Sequence, residues 1–332
     1  FDVVTLDRLK RIEVKPDFDA WKEYAYDHRV HPAVMTYLMV KKNDFCRVET
    51  TVAGKSFVTP RGWDDLSEMI KEYEEDDIAV NEALIGQYLQ DNVVAKNFAV
   101  YYDLYKKYKS DYRIEEILNG NVDQEIKNRL ADAPFDERLS LIGLLLTAIN
   151  GGIAAVNERE EVIRCYFKRL QAVKADVARK ETVAAAIGLE QDVVTKTLAA
   201  SERSFAATEK DRRLSRRVLA KLTESRNEAQ KVTGDEKSRF AALKENFDRD
   251  VASLTAAVNT EKNRLDHLFA FAESVFGDGK EMLILVTELT ANRETVHFIS
   301  RYGCDAYFAH NKELLFYERE KEIDDAIAEL EL

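Results

Sequence analysis

A chain of 332 residues has room for two or three domains and a sizeable core, and its 45% hydrophobic content is that of a globular protein. A formal net charge of −12 opposes non-specific attraction to nucleic acid or anionic lipid, and 33% charged residues suit long solvent-facing helices better than a compact sandwich. Cys46, Cys165 and Cys304 are odd in number, widely spaced and without a C-x-x-C pair, which argues against a disulfide framework and a structural zinc site.

Phe1-Asp2-Val3-Val4 has neither a basic n-region nor a long apolar run, so no signal peptide is expected. The most apolar stretch, residues 139–149, is short for a membrane span and bordered by charges. These features predict a soluble, cytoplasmic protein with no membrane span and no nucleic-acid partner.

Residues 9–14 alternate apolar and charged side chains and read as a β-strand. A lone strand at a terminus needs a sheet to join, so the chain reads as a piece of something longer. Between Pro16 and about Asn119, short helices with loops are predicted. Asp17 caps a helix through Ala20, Trp21, Tyr24 and Ala25, and His31-Pro32 opens a second with Val34, Met35 and Leu38. Residues 43–57 read as a polar loop carrying Gly54. Thr59-Pro60-Arg61 starts a helix through Trp63, Leu66, Met69, Ile70 and Tyr73, and two more follow at about 80–89 and 92–109. The second of these carries Phe98, Tyr101, Tyr102, Tyr105 and Tyr108, with Tyr112 just beyond, an aromatic stripe that reads as packed core.

Asn119-Gly120-Asn121 punctuates the chain, and Pro134 ends a linker. Residues 139–149 are apolar nearly all round, the pattern of a central buried helix, which Gly151-Gly152 breaks or kinks before residues 153–173 continue it. All four prolines lie at or before position 134, so later helices are free to run long. From about Glu202 charged residues dominate. Leu214, Val218, Leu222, Ala229 and Val232 mark one helix face, and Thr233-Gly234-Asp235 marks a turn. A second face follows at alternating three- and four-residue steps: Phe240, Phe247, Val251, Leu254, Val258, Leu265, Leu268, Ala272 and Val275, interrupted by Lys244 and Glu261. This spacing predicts an antiparallel coiled-coil hairpin over residues 202–280, an ordinary helical bundle being the alternative. Gly277-Asp278-Gly279 ends the second helix. Residues 282–286 fit a helix or a buried strand; the helix is favoured, with Asn292 capping 294–301 and a last helix from about 320.

No G-x-x-x-x-G-K-[ST], G-x-S-x-G, H-E-x-x-H or EF-hand pattern occurs. His28, His31, His267, His297 and His310 show no metal-ligand spacing, so no metal site is expected. His28 and His31 read as helix caps or surface contacts, and Glu74-Glu75-Asp76-Asp77 as a solvated acidic turn.

Taken as one string, the first hundred residues resemble a known family. Leu6-Asp7-Arg8-Leu9, the strand ending Ile12-Glu13-Val14, and Pro16-Asp17-Phe18-Asp19-Ala20-Trp21 are similar to the exit from the core of MoxR-type AAA+ ATPases. There an L-D-R-F-like element precedes a strand and an E-P-D-x-x-x-W stretch. Val30-His31-Pro32-Ala33-Val34 resembles the family's G-x-H-P-x-V/I element. Phe57-Val58-Thr59-Pro60-Arg61-Gly62-Trp63 is similar to the F-P-T-P-R-S-W signature that opens the sensor-2 helix of the lid. The motifs cover about residues 1–110; beyond them the likeness is to helical extensions in general.

The combined expectation is a mainly α fold. Residues 1–14 would be the last strand of an AAA+ core, 15–118 a helical lid, 119–201 a helical body, 202–280 the hairpin arm and 281–332 a C-terminal helical subdomain. The resemblance implies that Arg61 is the sensor-2 arginine facing the ATP γ-phosphate and that Arg8 is an arginine finger entering the next subunit's site. It also implies ATP and Mg²⁺ held by a core outside this chain, a homo-oligomer of hexameric type, chaperone-like remodelling, and a protein partner with a von Willebrand factor A domain. For Arg61 the physics agrees: a guanidinium at a helix start, held by Pro60 and backed by Trp63, can make bidentate charge-assisted bonds to a phosphate. Lacking a P-loop, this chain alone is not expected to hydrolyse ATP. The competing expectations are a non-enzymatic helical scaffold assembled through its coiled coil, and a helical regulator docked on a separate enzyme.

Overall fold

The computed structural model describes residues 15–51, 54–179, 181–204 and 208–312. The expected strand at 9–14, Arg8 and the expected helix from about 320 lie outside them. The described chain is mainly α-helical and forms two compact units. The first comprises the described residues up to 148 together with 266–296 and 305–312; the second comprises 149–265 and 297–304.

The first unit begins with short helices, each opened by its own cap. In α1 (Phe18–Asp27) the Asp17 carboxylate accepts from the Ala20 amide at 2.9 Å. In α2 (Pro32–Val40) Pro32 fills the first turn, and His31 Nδ1 accepts from the Ala33 amide at 3.2 Å. Residues 43–57 are not the polar loop that composition suggested. They include an antiparallel hairpin of β1 (Arg47–Thr51) and β2 (Gly54–Val58), with Arg47 opposite Val58 and Thr51 opposite Gly54. The hairpin buries almost none of its surface: Val48 is 64% exposed, and Val58 is its one fully buried apolar residue among those described. The apolar alternation that marks a half-buried strand is therefore absent. The bend into β2 is set by Gly54 at φ +132°, a conformation L side chains rarely adopt.

After β2 come α3 (Pro60–Glu75), α4 (Glu82–Tyr88), α5 (Asn92–Asp111), α6 (Ile114–Leu118) and α7 (Gln124–Ala131). Their core is aromatic. Trp63, Phe98, Tyr102, Tyr105 and Tyr112 are each at most 2% exposed, while Tyr101 and Tyr108 are half-buried, so most of the stripe on α5 is packed interior. Helix α8 (Phe135–Ala178) presses on α2 at Gly143, where an added Cβ would lie 1.9 Å from Thr36 Cγ2. Helix α11 (Glu236–Phe276) ends at Gly277, φ +57°, and α12 (Lys280–Ala291) follows. A buried charge pair and a half-buried one fasten α12 to this unit: Lys22 Nζ to Glu288 Oε1 at 2.7 Å and Arg138 Nη1 to Glu281 Oε1 at 2.9 Å. Asn292 Oδ1 then accepts from the Thr295 amide at 3.0 Å and opens α13 (Arg293–Tyr302), and the ambiguous residues 282–286 are helical within α12.

In the second unit α8 continues without a break through Gly151-Gly152. The glycine at 152 leaves room for the Glu261 carboxylate, whose Oε2 would lie 2.5 Å from an added Cβ. Because the helix is unbroken, an 18-residue window of α8 reaches a mean hydropathy of 2.0, more apolar than residues 139–149 alone suggested; 67% of it is buried within the protein. Helices α9 (Val183–Arg203) and α10 (Glu209–Lys231) complete the unit with the first part of α11. Helices α10 and α11 are joined by a turn at Gly234, φ +138°, as the sequence indicated. Their apolar faces, however, meet in one core with α8 and α9, drawn from Leu170, Val173, Ile187, Val218, Leu222 and Leu243 among others. The helix packed most closely on α10 is α9, not α11. The bundle alternative therefore describes this core better than a free-standing hairpin. Three- and four-residue spacing marks an apolar face but not which helix covers it.

Candidate functional site

The corner carrying Arg61 is built from local chemistry. Thr59 sits in extended backbone and its hydroxyl accepts from the Gly62 amide at 3.2 Å, while Pro60 occupies the first helical turn. Gly62 lies against the end of α4, where an added Cβ would come within 2.8 Å of the Tyr88 carbonyl oxygen. Trp63 is fully buried, its Nε1 donates to the Asp44 carbonyl at 3.1 Å, and its ring meets Phe98 edge-on at 5.2 Å. The Phe57 amide donates to the Gln90 carbonyl at 3.1 Å and ties β2 to the segment before α5. Every neighbour of Arg61 in this turn thus has a fixed contact.

Arg61 itself does not. Its side chain is 88% exposed, and its one described partner is Asp65, Nε to Oδ2 at 3.4 Å across one helical turn. Exposed pairs of this kind contribute about 0–1 kcal/mol, so the guanidinium remains available to a stronger anion. Arg8, the other arginine singled out by the sequence, lies outside the described residues.

The opposite end of α3 holds a polar hub that the sequence did not disclose. Glu74 accepts from His31 Nε2 at 3.2 Å and from the Tyr102 hydroxyl at 2.8 Å. Because His31 Nδ1 accepts from the Ala33 amide, the ring proton sits on Nε2 and points at the carboxylate. The His31 amide in turn donates to Ser67 Oγ at 2.7 Å. The hydrogen bond from His31, with a smaller one from Tyr102, holds the Glu74 carboxyl down to about 2, and burial beside Glu74 pushes the Tyr102 phenol far up. The run Glu74-Glu75-Asp76-Asp77 is solvent-exposed at all four positions, as the sequence indicated; Glu74 alone adds partners, 43 and 28 positions away. His31 is a cap, as expected, but also a clamp between α2 and α3.

Among the described residues no group of three or more His, Cys, Asp or Glu side chains is placed to hold a metal ion. No protein-family model matches the chain, and no curated protein or solved structure matches it.

Proposed function

We propose that this chain is the lid and helical extension of a MoxR-type AAA+ ATPase, in which Arg61 senses the γ-phosphate of ATP held by a separate core. The observation that supports this reading is the corner itself. A capped, glycine-closed and tryptophan-sealed helix start presents one exposed guanidinium, and it does so within the sequence that resembles the sensor-2 signature. A helix N-terminus with a projecting arginine suits an anion, since the helix dipole and the cation act together. This chain contributes that single contact. The cradle for the phosphates and Mg²⁺ belongs to a P-loop core that this sequence does not contain. Nucleotide state would then bias the lid, and the helical extension would carry the change to a protein partner, of which a von Willebrand factor A domain is the family's type. A hexameric homo-oligomer and a chaperone-like remodelling activity complete the proposal.

The test is ATP turnover by the full-length protein containing this region. One charge-assisted contact is worth about 1.5–3 kcal/mol, so Arg61→Ala should lower turnover roughly 10- to 100-fold without altering helicity. Unchanged turnover in a folded variant overturns the sensor assignment. A full coding sequence without a P-loop overturns the whole reading.

A further inference from the structure

In the second unit, three apolar helix rows are each interrupted by a polar side chain where they line one cleft. On α8, half-buried Arg159 falls between Val156 and Val162 at the spacing of the row that continues through Tyr166, Leu170 and Val173. On α10, buried Ser225 lies between Leu222 and Ala229, and on α11 Asp250 lies between Phe247 and Leu254. Val251, which the sequence pattern placed in that row, is 38% exposed. The cleft measures about 230 Å³, and Lys221, Glu228 and Arg249 also form its walls. Helical bundles build ligand sites in this way, from polar side chains on facing helices.

Most of these groups have partners. Ser225 Oγ donates to the Lys221 carbonyl at 2.7 Å, so the Tyr166 hydroxyl is the donor in its 2.5 Å contact with Ser225. The Lys221 ammonium lies 2.9 Å from Asp250 and 3.3 Å from Glu224. Three charges are left without an opposite charge. Asn246 bridges two of them, its amide nitrogen donating to Glu228 and its amide oxygen accepting from Arg249, and the Arg159 guanidinium has no hydrogen-bond or ion-pair partner among the described residues. The Arg159 nitrogens keep contact with solvent, so the guanidinium can take an anion without first giving up a protein contact. The wall charges Arg159, Lys221 and Arg249 balance Glu224, Glu228 and Asp250. A cleft of zero formal charge disfavours a multivalent anion and accepts a molecule carrying one charge of each sign. Its volume is below the usual ~300–1,000 Å³ of sites for drug-sized ligands, which restricts the occupant to something small.

We propose that this cleft binds a zwitterion of the amino-acid type, its carboxylate on Arg159 and its ammonium on Glu228. The inference is independent of the role given to Arg61. Free amino acids and short peptides share this chemistry, so both are used as probes.

Titration calorimetry on the whole protein, with alanine, leucine, Ala-Ala, N-acetylalanine, alanine amide and succinate, tests it. Saturable binding of an amino acid or of the dipeptide is expected, with at least a tenfold loss when either end is blocked. The tighter of those two zwitterions identifies the source. Arg159→Ala should lose at least tenfold in affinity while keeping its melting temperature, since Arg159 has no partner to lose, and Glu228→Gln should lose affinity for the ammonium end. Binding unchanged in either variant overturns the site, as does the absence of saturable binding by every zwitterion, or succinate binding more tightly than alanine. Unfolding of Arg159→Ala would show a structural role for the guanidinium and would equally overturn it.

Discussion

The two compact units obtain their stability differently. The first is assembled largely from short helices, five of them opened by the side chains of Asp17, His31, Thr59, Asn81 and Asp91, around large aromatic rings. The second consists of long helices whose shared core is mostly aliphatic, with Ala186 and Ala229 among its buried members and polar groups set into its rows. Local chemistry also opens the helices of the second unit, at Thr182, at the Thr208–Asp211 capping box and at Asp235, but in the first unit a few rings decide how the helices pack. In the second, spacing decides only which face is apolar, and the choice of neighbour is collective.

The largest expected effect is at Trp63. Trp63→Ala removes a fully buried ring and leaves the Asp44 carbonyl without its donor, so chemical denaturation should show a loss of about 3–5 kcal/mol. A loss below about 1 kcal/mol would show that the aromatic core does not organise the first unit.

Two glycines test the contrast directly. Gly62→Ala drives a Cβ to 2.8 Å from backbone that cannot rotate away, and should destabilise by about 1–3 kcal/mol. Gly188→Ala, inside α9, meets only the Arg226 guanidinium at an ordinary 3.8 Å, and should stabilise by about 0.5–1 kcal/mol through helix propensity. Changes of the same sign at both sites would remove the distinction drawn between the two packings.

Glu74 lends the first unit a pH dependence. Its folded carboxyl titrates at about 2 against an ordinary 4.5, so its contribution is complete above about pH 4.5 and is lost as pH falls toward 2. With the side chain 36% exposed, screening reduces that contribution to about 1–2 kcal/mol. Denaturation of Glu74→Gln and the unsubstituted protein should differ by this amount near neutrality and converge in acid; a difference independent of pH would break the assignment. The smallest effect belongs to Arg61. Arg61→Ala should leave stability within about 0.5 kcal/mol, and a larger loss would mean the guanidinium is structural.

The sequence by itself determined the helix starts at Asp17, His31-Pro32 and Thr59-Pro60, the burial of most of the aromatic stripe on α5 and the turn at Gly234. Caps, prolines and glycines act through contacts within about four residues, so their meaning is local. It also made the corner at Arg61 visible, because that corner consists of consecutive residues. Only the tertiary structure decided the rest. The hairpin of β1 and β2 was hidden because it buries so little. Glu74 became a hub through His31 and Tyr102, and α12 joined the first unit through Lys22 and Glu288, which are 266 positions apart. Helices α10 and α11 share their apolar faces with α8 and α9, and that packing brings Arg159, Ser225 and Asp250 to one cleft. The physical reason is common to the last three: an apolar face or a charge in sequence specifies what it requires, while the partner that satisfies it is chosen by packing among distant segments.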